Sequence, residues 1–293
     1  MSPHRPRILI FAYSEVGCVC LEELIKQRAE IACVFTHEDD PEEEIWFRSV
    51  KEIAQKNGIP VRTSSKLGEE DIEFCRAAAP ELIFSFYYRA LVPKEILLLP
   101  RLGAYNMHGA LLPRYRGRAC VNWAVLNGET RTGATLHVMT EKPDGGDIVD
   151  SEAVDIKFTD TAFDVFLKVA EAARVITERS LPALEAGTAP RVPQNEAEAT
   201  YFGRRRPEDG RIDWNKSARD IYNLIRAVTH PFPGAFADIG GKKYYIWKAR
   251  PIGGTAAPGE VVSRSPLVIG TGSGLLEVLR IQPEGGKEGD GIL

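Results

Sequence analysis

The chain is predicted to be an α/β protein in which a Rossmann-like, mostly parallel sheet with helices on both faces is followed by a small β-barrel. Three observations carry that prediction. Apolar runs of strand length alternate with helical periodicities across residues 7–184. These runs are short and continuously apolar, as expected of strands covered on both faces. Beyond about residue 231 the pattern changes to short strands punctuated by Gly and Pro.

The elements follow in order. Ile8-Leu9-Ile10-Phe11-Ala12 reads as a buried strand within 7–13, and Leu21, Leu24 and Ile25 mark the apolar face of the next helix. A strand over 31–36 completes a βαβ opening. Its turn holds a single glycine, Gly17, so the G-x-G-x-x-G dinucleotide fingerprint is absent. The acidic run 37–44 reads as a solvated loop and first helical turn. A helix over 46–57, a strand over 59–62, a helix over 69–79 and a strand over 82–87 continue the alternation. A helix over 121–127, a strand over 134–139 and a long amphipathic helix over 162–184 follow. Ser217 caps a helix over 218–228.

Composition sets outer bounds. The 293 residues are 44% hydrophobic and 27% charged, enough for a large domain and a smaller one. No apolar run has the length of a bilayer span, and the first residues lack the apolar core of a secretion signal, so a cytoplasmic protein with no membrane association is expected. The five cysteines, Cys18, Cys20, Cys33, Cys75 and Cys120, are odd in number and scattered, which fits free thiols better than a disulfide or zinc framework; no metal is expected. A net charge of −4 argues against a broad nucleic-acid surface.

The stretch Gly103–Arg118 stands apart from this background. It starts as an apolar strand, places Asn106 and His108 on one face through the period of two, and breaks into a loop with three arginines, Arg114, Arg116 and Arg118. The ordinary reading of the pair is a hydrogen-bonded strand end. A second segment favours chemistry: Lys142-Pro143-Asp144-Gly145-Gly146-Asp147 sets an acid at a turn after another strand, and a carboxylate reaching His108 would fix its tautomer and support its protonated form. His137, one strand period before Met139, reads as structural, and Asp147 as a turn residue.

Asn106-Met107-His108-Gly109, Leu111-Leu112-Pro113, Tyr115-Arg116-Gly117-Arg118 and Asp144-Gly145-Gly146-Asp147-Ile148 together resemble the 10-formyltetrahydrofolate-dependent formyltransferases. Within that family the wording is most similar to the branch that formylates UDP-4-amino-4-deoxy-L-arabinose for lipid A modification. Ile83-Phe84-Ser85-Phe86-Tyr87-Tyr88-Arg89, Asn122-Trp123 and Phe202-Gly203-Arg204-Arg205 carry that likeness. The resemblance extends from about Arg7 to about Leu279. Ala110 and Cys120 depart from it, standing where the family commonly has Ser and Pro.

The resemblance implies formyl transfer from 10-formyltetrahydrofolate, as co-substrate, to the primary amine of a nucleotide-linked amino sugar. Asn106, His108 and Asp144 are then the catalytic residues. Ala90, Leu91, Val92 and Arg118, with the loop Thr140, Glu141, Lys142, Pro143 and Asp144, are the folate-binding ones. It further implies a catalytic domain over 1–189, a linker over 190–206 and an open OB-like barrel over 207–293. The chain ends earlier than the family pattern, which leaves room for fusion to, or association with, a decarboxylase module. Arg204, Arg205 and Arg206 read equally as an exposed crossover or as a contact to a phosphorylated acceptor. The alternative activity is formylation of methionyl-tRNA, which requires a basic surface for the acceptor stem; a non-catalytic folate-binding protein is a third reading.

Overall fold

The structure, a computed structural model, describes residues 5–39, 45–64 and 66–293; residues 40–44 of the acidic run lie outside the described residues. It divides into two compact units that interleave along the chain. The first holds Met1–Gly117, Thr132–Val154 and Leu167–Tyr201, the second Arg118–Arg131, Asp155–Phe166 and Phe202–Leu293.

In the first unit β1 (Arg7–Ala12), α1 (Ser14–Lys26), β2 (Glu30–Thr36), α2 (Val50–Lys56), β3 (Val61–Thr63), α3 (Glu69–Ala78), β4 (Leu82–Phe86), α4 (Lys94–Leu97) and β5 (Ala104–His108) alternate as the sequence predicts. The two-residue strand β6 (Arg116–Gly117) follows; the chain then runs through helix α5 (Cys120–Leu126), which belongs to the second unit, before β7 (Arg131–Val138), β8 (Ile148–Asp155) and α6 (Ala162–Glu185). The sheet order is β3-β2-β1-β4-β5-β7-β8. Pairing is parallel from β3 through β5 and antiparallel between β5 and β7. The winding reverses between β1 and β4, the position at which open α/β sheets place ligands at the carboxyl ends of their strands. Leu9, Phe11, Cys33, Phe35 and Ile83 form the buried cluster on one side of these strands, joined by Val92 and Ile96 from the segment after β4.

Helix α2 and strand β8 differ from the sequence prediction, and the short elements α4 and β6 lie outside it. Helix α2 begins at Val50 rather than at residue 46, because the Ser49 hydroxyl accepts the Glu52 N–H at 3.3 Å and so caps the helix there. Trp46 and Phe47 instead pack edge to face, and Phe47 meets Tyr13 in the same way. Strand β8 carries no apolar run. Asp150, Ser151 and Glu152 sit on it as a charged sheet edge, and Arg179 of α6 binds both acids at 2.6 Å.

The second unit is built on α7 (Ala218–Val228), whose first turn is capped by Ser217 through the Asp220 N–H at 3.1 Å. The buried Arg226 donates from this helix to the carbonyls of Asp160 and Val125, and Asn122 of α5 returns a bond to the Ala227 carbonyl. An antiparallel sheet of order β10-β11-β14-β13-β12 completes the unit. Its strands are β10 (Ala235–Ile239), β11 (Lys242–Ile252), β12 (Val261–Arg264), β13 (Leu267–Gly270) and β14 (Leu275–Pro283), and β15 (Gly289–Asp290) adds to β14; β9 (Tyr201–Phe202) pairs with β6. The β10–β11 hairpin turns through Gly240 and Gly241, at φ 58 and 79, the backbone sign that a two-residue hairpin loop demands.

The segment expected as a linker is held along the first unit up to Tyr201. Val192 bridges Ile148, Arg191 donates to the Tyr105 hydroxyl at 3.1 Å, and Thr200 accepts from the backbone of Tyr115 and Arg116. No helix among the described residues is long and apolar enough to cross a membrane.

Candidate active site

Strand β5 carries Asn106 and His108 on one face, and the antiparallel register with β7 sets Asn106 opposite His137. The turn after β7 returns Asp144 to the same place. That turn is tight: a Cβ on Gly146 would stand 2.0 Å from the Val138 carbonyl oxygen, so only glycine fits, and Asp144 itself takes a left-handed φ of 54.

The three residues singled out by sequence converge, and His137 joins them. Asp144 Oδ1 lies 3.5 Å from His108 Nδ1 and 3.5 Å from His137 Nε2, while Oδ2 accepts the Gly117 N–H at 2.9 Å. His108 Nε2 is 2.8 Å from the Tyr115 carbonyl and His137 Nδ1 is 2.9 Å from the Val138 carbonyl. A carbonyl oxygen only accepts, so each of those nitrogens carries the ring proton and the opposite nitrogen is bare in the neutral ring. Asn106 Nδ2 then donates to the bare Nε2 of His137 at 3.1 Å. Two bare imidazole nitrogens thus face one carboxylate oxygen.

Electrostatics follow from burial. His108 is 6% exposed, and burial lowers its pKa below the usual histidine range although Asp144 and the Tyr115 carbonyl pull upward. Burial works against ionised Asp144 as well, but the His137 and His108 rings beside it and the Gly117 N–H outweigh it and hold the carboxyl at about 2. The resting state is a neutral imidazole beside a carboxylate, ready to take a proton at His108 Nδ1 and to stabilise the resulting charge.

The other predicted positions are distributed as follows. Ala90 is half-buried, Leu91 is 78% exposed and Val92 is in the core. Thr140, Glu141, Lys142 and Pro143 are exposed, with the Thr140 hydroxyl closing onto the Lys142 carbonyl at 2.9 Å. An ion pair between Lys94 of α4 and Glu141, at 2.5 Å, ties this loop to the helix that follows residues 90–92. Arg118 is exposed and belongs to the second unit, where its N–H donates to the Phe202 carbonyl. Ala110 is buried, and its backbone carbonyl accepts the Thr135 hydroxyl at 2.7 Å. His137 was legible only through the β5–β7 register, since nothing in its local sequence separates it from a core histidine. Among the described residues no group of three or more His, Cys, Asp or Glu is arranged to hold a metal ion.

The protein is thus an α/β protein with a mostly parallel sheet and an amide, two imidazoles and a carboxylate gathered at the carboxyl end of β5. The chain belongs to the formyltransferase family: residues 7–180 match the formyl transferase model and residues 205–291 match the formyl transferase C-terminal domain. Among solved structures it is similar to an N-formyltransferase from Helicobacter canadensis in complex with folinic acid and dTDP-3-aminofucose. That match has 21% identity and a TM-score of 0.74, covering 92% of this chain and 97% of that one. HypX from Aquifex aeolicus, solved with tetrahydrofolic acid, matches at 20% identity and a TM-score of 0.66; 98% of this chain is covered but only 46% of HypX, so the chain spans about half its length. Methionyl-tRNA formyltransferase from Clostridium thermocellum matches at 20% identity and a TM-score of 0.59, over 84% of this chain and 93% of that one.

Proposed function

We propose that this protein transfers a formyl group from 10-formyltetrahydrofolate to the primary amine of a nucleotide-linked amino sugar, with UDP-4-amino-4-deoxy-L-arabinose as the acceptor. The observation that carries the reading is the meeting of Asn106, His108 and Asp144 on two segments 36 residues apart. The folate supplies the formyl group. The loops at Ala90–Val92 and Thr140–Asp144 offer backbone donors and acceptors of the kind a pterin edge needs, and the Lys94–Glu141 pair supports their common placement.

The residues divide the work as follows. The amine nitrogen bonds to the formyl carbon and the bond from that carbon to the folate nitrogen breaks, so one proton must leave the amine and one must reach the leaving nitrogen. His108 Nδ1 takes the first and returns it. Asp144 holds the imidazolium between the two steps. The Asn106 amide has two N–H bonds; one is engaged by His137, and the other serves the negative charge on the formyl oxygen, a role that commonly contributes ~2.7–4 kcal/mol. His137 orients the amide.

The acceptor reading is supported by the sugar N-formyltransferase neighbours, one of which was solved with dTDP-3-aminofucose, and by the net charge of −4. Five buried cysteines, none in a disulfide, fit a reducing cytoplasm. Offering the protein UDP-4-amino-4-deoxy-L-arabinose, other nucleotide-linked amino sugars and methionyl-tRNA, each with 10-formyltetrahydrofolate, tests it by product mass. Formylation of the arabinose nucleotide is expected. Formylation of the tRNA alone, with steep loss at raised salt, overturns the acceptor assignment.

A further inference from the structure

Arg116 is a fully buried guanidinium outside the reacting cluster, on the strand next to the Asp144 loop. Its Nε and one terminal nitrogen donate to Gln194 Oε1 at 3.1 and 2.6 Å, and its terminal nitrogens reach Glu196 at 2.8 and 3.1 Å and the Tyr201 hydroxyl at 2.5 Å. With its oxygen fixed in this way, the Gln194 amide nitrogen donates to two backbone carbonyls, Asp144 at 2.8 Å and Gly146 at 2.6 Å. Those carbonyls flank the left-handed turn that presents the carboxylate. Arg116 is also followed directly by Gly117, whose N–H holds Asp144 Oδ2. Lys142, in the same loop, bonds Glu196 at 2.7 Å.

We propose that Arg116 and Gln194 are positioning residues for the reaction: the buried guanidinium locks the Gln194 amide, which clamps the Asp144 backbone so that its carboxylate stays between His108 and His137. This rests on the proposed role of Asp144. A free Asp144 turn would sample orientations in which the 3.5 Å approach to His108 is lost, and misplacement by about 1 Å at a reacting constellation costs up to roughly a hundredfold in rate. The glutamine amide suits the task because it alone among side chains of this length accepts from Arg116 while donating twice.

The discriminating variant is Gln194→Glu, which keeps an acceptor for Arg116 and removes both donors; Gln194→Ala removes everything. Three readouts are compared with Asp144→Asn: kcat, KM for each substrate, and the titration of the His108 ring by nitrogen-15 NMR in the protein without folate. The charged and titratable groups around that ring are Asp144, His137 and Arg116. For Gln194→Glu we expect kcat to fall about tenfold or more with KM changed less than about threefold, and the His108 titration to move to lower pH as the supporting carboxylate withdraws. A lowered melting temperature with unchanged kcat and an unmoved titration would mean that Gln194 is merely structural, and the proposal fails. If Asp144→Asn is impaired and Gln194→Glu is not, only this inference falls. If Asp144→Asn is itself normal, the assignment of the catalytic cluster falls with it. Should Gln194→Ala not fold, the near-isosteric Gln194→Glu still decides.

Discussion

His108 and His137 each commit one ring nitrogen to a backbone carbonyl and turn the other toward Asp144, so the carbonyl partner of each ring decides which nitrogen faces the carboxylate. Replacing His108 by Ala, or Asp144 by Asn, is expected to reduce kcat by about two to four orders of magnitude while folate affinity stays within a few-fold, measured by single-turnover kinetics and by binding of a folate analogue. The pH dependence has a definite sign. Burial leaves His108 with a folded pKa below 6.5, so the acid limb of kcat/KM should lie below 6.5, and Asp144→Asn should push it lower still. Stability follows the same direction. Below 6.5 the unfolded chain takes up a proton at His108 that the folded chain resists. Asp144, held at about 2 against 3.8 when unfolded, contributes about 2 kcal/mol that is present above 3.8 and is lost as pH falls through about 2. Acid unfolding followed by circular dichroism should lose that last step in Asp144→Asn.

At the scale of elements, the β7 strand and its following turn do more for the site than the length of the turn suggests. A methyl group at Gly146 would collide with the Val138 carbonyl, a backbone atom that cannot move without breaking the β7 pairing. Gly146→Ala should therefore cost about 1–3 kcal/mol in urea denaturation and lower kcat in parallel, because Asp144 would move with the turn. Removal of a cap in the second unit gives a contrasting case: Ser217→Ala should destabilise α7 by about 1 kcal/mol with no change in kcat, since that hydroxyl serves only the helix end. Equal effects of the two on turnover would contradict this division. The elements themselves were largely legible. Continuous apolar runs announced β1, β2 and β4, whereas β8 was missed because its polar residues are held by Arg179 and Ser180 rather than by an apolar partner.

For the whole molecule, the five cysteines provide a global probe. None of the five is in a disulfide and all are buried, and burial drives the thiols of Cys18, Cys20 and Cys75 up to about 12 and that of Cys33 to about 11. Thiol-reactive reagent at neutral pH should label none of them until the protein unfolds, so the labelling rate should follow denaturant concentration. Rapid labelling of the native protein would show that the element carrying the labelled cysteine opens locally.

The sequence by itself determined the alternation of strands and helices, the change to short β-strands near residue 231, and the candidacy of Asn106, His108 and Asp144, because periodicity and motif spacing are local properties of the chain. Tertiary structure decided what those residues touch. The antiparallel register of β5 with β7 brings His137 to Asn106, and the return of 190–201 along the first unit brings Gln194 to Asp144. Both depend on pairings between segments dozens of residues apart, which no local pattern records.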